Sequence, residues 1–500
     1  MAGGTGSTLR GRVLSGVLWK AIAQIFGQFF GTIVAIVLAR LLVPADYGLA
    51  AMVIVFAAVV PVFADLALGA ALIQRRELSE ADRSTVFWTS VGVGALFTVL
   101  GFAASWPIAA FYDEPEVQPL FAALSLTFVV TALYSTQKAL LTREMDFRRL
   151  ELLLMAGNIL AGIAGIVLAA WGYGAWAIIG QQLVAAVASA LLLFALSPWR
   201  PSLTFSYRSL RGMLGFSANV FGTRLLFYVN RNADNLLIGK VLGTTALGAY
   251  ALAYNLMLVP SSRLTWPITE VLFPAFSTIQ EDAARVARAW FRVTRLIASI
   301  TVPAMLGLIV VAPEFVTVIL GDRWIEAIPL IRLLAWVGLL QSLQGLNSSI
   351  LQARDRTRTL LWYAVVVAVA TVVSFVLGVH WGVVGVAVAY AIASTLVEPY
   401  YAWLTARVLD VSVWDLGRAL SGVTQAAAAM TAVVLGAREL LIDQGVSDAA
   451  RLAVLILLGI AVYVPLCAWR APEILDELRA LRRRSEPDPA PVVGPVATEP

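Results

Sequence analysis

The sequence predicts an all-α membrane protein of about fourteen transmembrane helices, and three observations carry that reading. Of its 500 residues 60% are hydrophobic and 13% charged, with a mean hydropathy of +0.83, far from the roughly half-apolar, quarter-charged usage of soluble domains. Apolar runs recur along the chain, each near the ~20 residues that a helix needs to cross ~30 Å of hydrocarbon. The short polar stretches between them alternate in Lys and Arg content, as the two sides of a membrane require.

A first series of runs covers Ser15–Leu41, Tyr47–Ile73, Ser84–Trp106, Val117–Leu141, Leu152–Trp171 and Ala175–Leu196. A second covers Met213–Ile238, the unusually long Ala246–Thr278, Leu296–Leu320, Ala327–Leu351, Leu360–Val379 and Val383–Thr405, and two more follow at Leu420–Leu441 and Leu452–Trp469. With the N-terminus inside, the cytoplasmic loops and tails hold 27 Lys and Arg, and the outer loops hold only Arg40, Lys240, Arg323, Arg438 and Arg451. One span more or fewer near the middle scrambles this bias, so an even number with both termini cytoplasmic is expected. The first run, flanked by Arg10, Arg12 and Lys20, is too long for a signal-peptide core and ends in no small-residue cleavage site, so it is expected to stay as a span.

An internal repeat orders these spans. Leu-Ala-Arg-Leu-Leu-Val-Pro-Ala-Asp-Tyr-Gly (38–48) returns as Ile-Gly-Lys-Val-Leu-Gly-Thr-Thr-Ala-Leu-Gly (238–248), placing Arg40 on Lys240, Leu42 on Leu242 and Gly48 on Gly248. Six spans per repeat make the halves parallel, related by a pseudo-two-fold axis along the membrane normal. The expected organisation is an N-terminal six-helix lobe (1–205), a C-terminal six-helix lobe (206–410), two appended helices (411–475) and a cytoplasmic tail (476–500), Pro-rich from Ser485 and read as disordered.

Polar groups inside lipid are expensive and therefore functional candidates. In span seven Arg224, Tyr228, Arg231 and Asn235 share one helical face, with Asn219 and Asp234 beside it. Arg224 falls near the bilayer middle, where a guanidinium suits a phosphate or pyrophosphate, or a structural ion pair. Span one carries Lys20, Gln24 and Gln28 at steps of four beside Gly27 and Gly31. This is either the inward mouth of a cavity or a snorkelling lysine with glutamines bonding between helices. Asp65 in span two could pair with a base such as Lys20 or take a coupling proton. Pro260 and Pro267, with Pro274, mark span eight as a hinge or as packing kinks, with Arg263 and Glu270 between them. Span ten offers Gln341, Gln344, Asn347, Ser348 and Gln352, and Arg332 reads as snorkelling. Glu398, before Pro399, is a buried carboxylate with no assigned role. The substrate-binding candidates are thus Arg224, Arg231, Lys20, Gln24, Gln28, Asn235 and Arg263. Asp65, Asp234 and Glu270 are candidates for coupling or ion pairing, and Pro260 and Pro267 for hinges.

The exclusions are equally informative. One cysteine, Cys467, allows no disulfide framework, and one histidine, His380, placed in an outer loop, makes a histidine relay untenable. There is no Walker motif, no His-Glu-x-x-His and no Gly-x-Ser-x-Gly, and no loop could house a catalytic domain, so no enzyme, cofactor or metal is expected. The basic residues are scattered, which excludes nucleic acid.

The segment Asn232–Tyr254, followed by Leu-Val-Pro (258–260) and Val-Leu-Phe-Pro-Ala-Phe-Ser (271–277), resembles the lipopolysaccharide and exopolysaccharide flippases, as does residues 38–48. These form the polysaccharide-exporter branch of the multidrug, oligosaccharidyl-lipid and polysaccharide exporter superfamily, and the resemblance covers nearly the whole chain except its tail. It implies a V-shaped pair of lobes that flip an undecaprenyl-pyrophosphate-linked oligosaccharide from the inner to the outer leaflet of a bacterial cytoplasmic membrane by alternating access. The basic cavity of such proteins matches Arg224 by position, and also Lys20, while no motif fixes a coupling residue. Expected partners are the lipid-linked oligosaccharide, membrane lipids and other polysaccharide-assembly proteins. The alternative is a multidrug and toxin extrusion-type cation-coupled antiporter of the same fold, which should place carboxylates in its cavity.

Overall fold

Lipid offers backbone N–H and C=O groups no partner, so a spanning chain must satisfy them within helices or a closed barrel. The computed structural model, which describes residues 9–58, 72–73, 78–207, 217–279 and 281–474, takes the helical solution. Its helices are α1 (Leu9–Leu41), α2 (Pro44–Ala57), α3 (Glu80–Tyr112), α4 (Val117–Arg143), α5 (Phe147–Ala170), α6 (Trp176–Leu196), α7 (Ser217–Pro260), α8 (Trp266–Thr278) and α9 (Ala283–Phe315). They continue as α10 (Ile328–Gln344), α11 (Asn347–Ala353), α12 (Thr357–Gly378), α13 (Gly382–Val408), α14 (Val413–Asp443) and α15 (Asp448–Arg470).

Among the described residues eleven stretches are long and apolar enough to cross a membrane. One of them, Thr357–Val408, holds both α12 and α13 around the turn Val379–Trp381. The second expected run begins as the shorter apolar helix α2, and its continuation lies outside the described residues. Expected runs seven and eight share α7, which breaks at Gly243, whose φ of 81° suits glycine alone. Run eight is itself interrupted: a π-helical turn, Ser261–Thr265, follows Pro260 before α8 begins.

Irregular backbone is satisfied by identifiable side chains. Pro303 inside α9 cannot donate to the carbonyl of Ser299, and Tyr463 of α15 donates its hydroxyl to that oxygen at 2.7 Å. The non-helical segment after α6 lies along the start of α3. There Trp199 Nε1 donates to Glu80 (2.9 Å), the Ser202 N–H to Ser84 Oγ (3.0 Å), the Ser206 N–H to Thr85 Oγ1 (2.8 Å), and Trp88 Nε1 to the Ser202 carbonyl (2.8 Å). The beginning of α3 is closed by a capping box, in which the Asp82 N–H donates to Ser79 Oγ and the Ser79 N–H to Asp82 Oδ2.

The chain forms two compact units. One comprises Met1–Leu256, Phe315–Leu334 and Val367–Ala393. In it, glycines on α5 let neighbouring helices close in, as small residues do in membranes. A Cβ at Gly162 would sit 2.7 Å from the Phe30 ring of α1, and one at Gly157 would sit 2.7 Å from Ser189 Oγ of α6.

The same unit contains the repeat contact. A Cβ added at Gly48 would strike the Thr244 carbonyl, and one at Gly248 would strike the Pro44 carbonyl. Residues 44 and 244, like 48 and 248, are equivalent in the repeat, so the contact is reciprocal, as a two-fold relation demands. Around it Arg40 donates to the carbonyls of Val318 and Ile319, which end the π-helical turn after α9, and Trp324 Nε1 donates to the Ala39 carbonyl at 2.7 Å. Lys240, the counterpart of Arg40, pairs at 2.5 Å with Asp113, the residue closing α3. Each cation therefore meets a helix C-terminus, where it is favoured.

The other unit comprises Met257–Glu314, Ala335–Val366 and Ser394–Pro500. Its core gathers Phe276, Trp290, Ile297, Leu346, Ile350, Ala402 and Ala406. The two appended helices are tied in through Glu314 of α9, which is fully buried: its Oε1 accepts from Arg438 Nε of α14 at 2.8 Å and from Arg451 Nε of α15 at 2.7 Å. Removing one member of such a buried set typically costs about 3–5 kcal/mol, because the remaining charges lose their compensation. Glu314→Ala is therefore expected to lower the thermal unfolding midpoint of the detergent-purified protein sharply; an unchanged midpoint would show that packing alone holds α14 and α15.

Candidate functional site

The site begins with helical periodicity. On α1, Lys20, Gln24, Gly27 and Gly31 fall at steps of four, three and four, hence on one face. On α5, Glu151 and Asn158 fall seven apart, again on one face. These two faces and Gln181 and Gln182 of α6 line a cavity of about 630 Å³, whose apolar wall includes Phe26, Phe30 and Met155. The rings of Phe26 and Phe30 stack at 6.0 Å.

Gly27 and Gly31 explain why there is space at all. A Cβ at either position would meet nothing within 4 Å, the opposite of Gly162, which is filled by its neighbours. At the same cavity Lys20 is exposed and Glu151 half-buried, and the charges of Lys20 and Lys138 reach the Glu151 carboxyl. Four side-chain amides that can both donate and accept, an apolar wall and one cation at the end of the cavity can bind a polyhydroxylated ring and hold an anion beside it.

Of the residues singled out in the sequence, Lys20 and Gln24 line this cavity, and Gln28 does not. Asp234 is buried, accepting from the Tyr250 hydroxyl at 3.0 Å and from the Asn235 N–H at 2.8 Å. The side-chain oxygen of its neighbour Asn235 is buried without a hydrogen-bond partner among the described residues. Arg263 lies half-buried in the π-helical turn, and Pro267 in the first turn of α8. The side chains of Arg224, Arg231 and Glu270, and Asp65 altogether, lie outside the described residues. Glu151, Asn158, Gln181 and Gln182 were not singled out. Their signal was available as the Glu151–Asn158 spacing and the adjacent amides of span six, but neither identifies a partner helix.

Multiple apolar helices, a parallel repeat and a polar cavity walled by helices define the class: a multi-pass membrane protein built as a transporter. More particularly, a family described as polysaccharide biosynthesis protein matches residues 37–329, more than half of the chain, and the chain belongs to that family. It is 34% identical over 352 residues to the lipopolysaccharide biosynthesis protein WzxC of Escherichia coli (strain K12), covering 70% of this chain and 71% of that one. Similarity to the teichuronic acid biosynthesis protein TuaB of Bacillus subtilis (strain 168) is 26% over 426 residues, 83% of this chain and 86% of that one. The fold is similar to that of the lipid II flippase MurJ in an inward closed conformation, with a TM-score of 0.72 at 17% identity, over 92% of this chain and 100% of that one. The resemblance drawn from residues 38–48 and 232–277 is thereby borne out.

The two kinds of glycine separate in a stability measurement. Gly27→Leu, pointing into open space, should shift the unfolding free energy by no more than about 0.5 kcal/mol. Gly162→Leu, forced against Phe30 and Val34, should cost roughly 1–3 kcal/mol. Thermal unfolding of both variants in detergent checks this, and equal losses would mean that the α1 face is packed rather than open.

Proposed function

We propose that this protein flips a lipid-linked oligosaccharide, carried on an undecaprenyl-pyrophosphate-type lipid, from the inner to the outer leaflet of a bacterial cytoplasmic membrane, with both of its termini in the cytoplasm. The observation that carries the reading is the cavity of α1, α5 and α6. Its amides and stacked phenylalanines suit the hydroxyl edges and apolar faces of a sugar, and Lys20 suits the phosphate linking sugar to lipid. Membership of the polysaccharide biosynthesis family supports the cargo class, and the names of WzxC and TuaB, for lipopolysaccharide and teichuronic acid, attach related chains to different surface polymers.

In this reading Gln24, Asn158, Gln181 and Gln182 contact sugar hydroxyls, Lys20 meets phosphate, and Glu151 keeps Lys20 from binding other anions until a diphosphate displaces it. Arg224, near the middle of the expected run Met213–Ile238, is a second phosphate contact. The six-helix lobes 1–205 and 206–410 alternate access, with the break after Pro260 as hinge. The chain performs no bond chemistry, and other polysaccharide-assembly proteins consume what it delivers. Glu151 is the one observation favouring an organic-cation antiporter, but Lys20 shares its cavity and opposes a cationic ligand.

The test uses a deletion strain complemented with wild type, Lys20→Ala, Gly27→Leu or Arg224→Ala, each confirmed to be inserted. Surface polysaccharide and accumulated lipid-linked precursor are measured together. Wild type restores polymer and clears precursor. Lys20→Ala and Arg224→Ala, each losing a charged contact of about 1.5–3 kcal/mol, and Gly27→Leu, filling the cavity, should leave precursor behind and reduce polymer by tenfold or more. Normal export by all three variants refutes the site, and unchanged polymer on deletion refutes the function.

A further inference from the structure

Glu398 is a buried acid that the cavity does not use. It lies in α13 one residue before Pro399, at the head of the stripe Glu398, Ala402, Ala406 and Leu409, of which the last three pack in the unit core. Helical steps of four, four and three therefore turn it toward protein rather than lipid. Its side chain is 8% exposed.

Its surroundings are phenolic. Tyr363 of α12, 8% exposed, donates its hydroxyl to Glu398 Oε2 at 3.3 Å. The Tyr363 ring stacks on that of Tyr401 with centroids 3.6 Å apart and planes 13° from parallel, and the Tyr401 hydroxyl bonds Ser348 of α11. The groups facing the acid are thus tyrosines from α12 and from α13 itself, with a serine from α11 behind one of them. Among the described residues no Lys, Arg or His pairs with it. Arg407 of α13 lies over the Trp403 ring at 5.4 Å, roughly 13 Å further along the helix.

Glu314 shows what this chain does with a buried carboxylate ion: it supplies two guanidinium groups within 2.8 Å. Glu398 has none, and phenol donors do not neutralise charge, so an ion there would retain a desolvation cost of several kcal/mol. A neutral carboxylic acid fits without that cost. We propose that Glu398 is a proton-binding site, loaded in this conformation and able to unload only when movement about Pro399 admits water. In unloading, the acid O–H bond breaks, its electron pair stays on the carboxylate and the proton passes to water; reloading reverses these steps. The coupling role, in which loading and unloading alternate with cargo movement, rests on the flippase reading; the bound proton does not.

Infrared difference spectra of the purified full-length protein, recorded through a pH titration, read the proton directly. Wild type should show the carbonyl stretch of a protonated carboxyl group at neutral pH. That band should be lost in Glu398→Gln, which has the shape of the neutral acid and keeps the fold, and shifted in frequency in Tyr363→Phe, which removes the donor. Superimposable spectra of wild type and Glu398→Gln overturn the proton site. In the complemented deletion strain, loss of export in folded Glu398→Gln with partial rescue by Glu398→Asp supports coupling, and normal export by Glu398→Gln overturns it. If wild type itself restores no polymer, the flippase reading fails while the infrared result stands.

Discussion

An unpaired backbone carbonyl inside a bilayer has no water to turn to, and the irregular points of this protein are organised around that constraint. Proline breaks the ladder of α9, and a tyrosine from α15 reaches across to the exposed carbonyl of Ser299. The carbonyls at the end of the π-helical turn after α9 are met by Arg40 from the end of α1. The same bonds that satisfy the backbone therefore choose which helix ends meet, so satisfaction and tertiary arrangement are one problem. Where the chain leaves the helical state between α6 and α7, at a helix end where polar side chains are affordable, Glu80, Ser84 and Thr85 take over.

Charges obey the same accounting with three different solutions. Glu314 is neutralised outright by Arg438 and Arg451 and fastens the appended helices. Lys20 is exposed and Glu151 half-buried at the cavity of α1, α5 and α6, where the charge of Lys20 reaches the Glu151 carboxyl. Glu398 meets a tyrosine hydroxyl and, among the described residues, no cation, which is the ground for proposing a neutral acid there. Burial alone does not distinguish an anchor from a switch; the identity of the donor does, since a guanidinium stabilises the ion and a tyrosine stabilises either form.

Much of the fold was legible in the sequence, because a lipid-spanning helix is recorded in the length and composition of its apolar run. The repeat was legible too: Gly48 and Gly248 were aligned by pattern, and they meet each other's segments in space. The cavity was legible only on its α1 side. Lys20 and Gln24 announce a polar face, but Glu151, Asn158 and Gln181 lie on other helices, and which faces meet depends on glycine contacts such as Gly162 against Phe30 that apolar patterning does not encode. Run eight reads as one long span because hydropathy is blind to backbone geometry; its prolines flagged a kink, and the π-helical turn at Ser261–Thr265 is the form it takes.

The reciprocal glycine contact sets how closely the two repeat segments approach. At Gly48 and Gly248 backbone is laid against backbone, and contacts of Cα–H with a carbonyl contribute only about 0.5–1 kcal/mol each. The stronger bonds lie around it, on Arg40, Trp324 and the exposed Lys240–Asp113 pair, and exposed ion pairs are worth little on balance because water competes for both partners. A junction made this way is exact in register and modest in strength. A side chain larger than hydrogen at position 48 or 248 would strike the facing carbonyl and hold these two equivalent segments apart, so the close approach requires glycine at both positions.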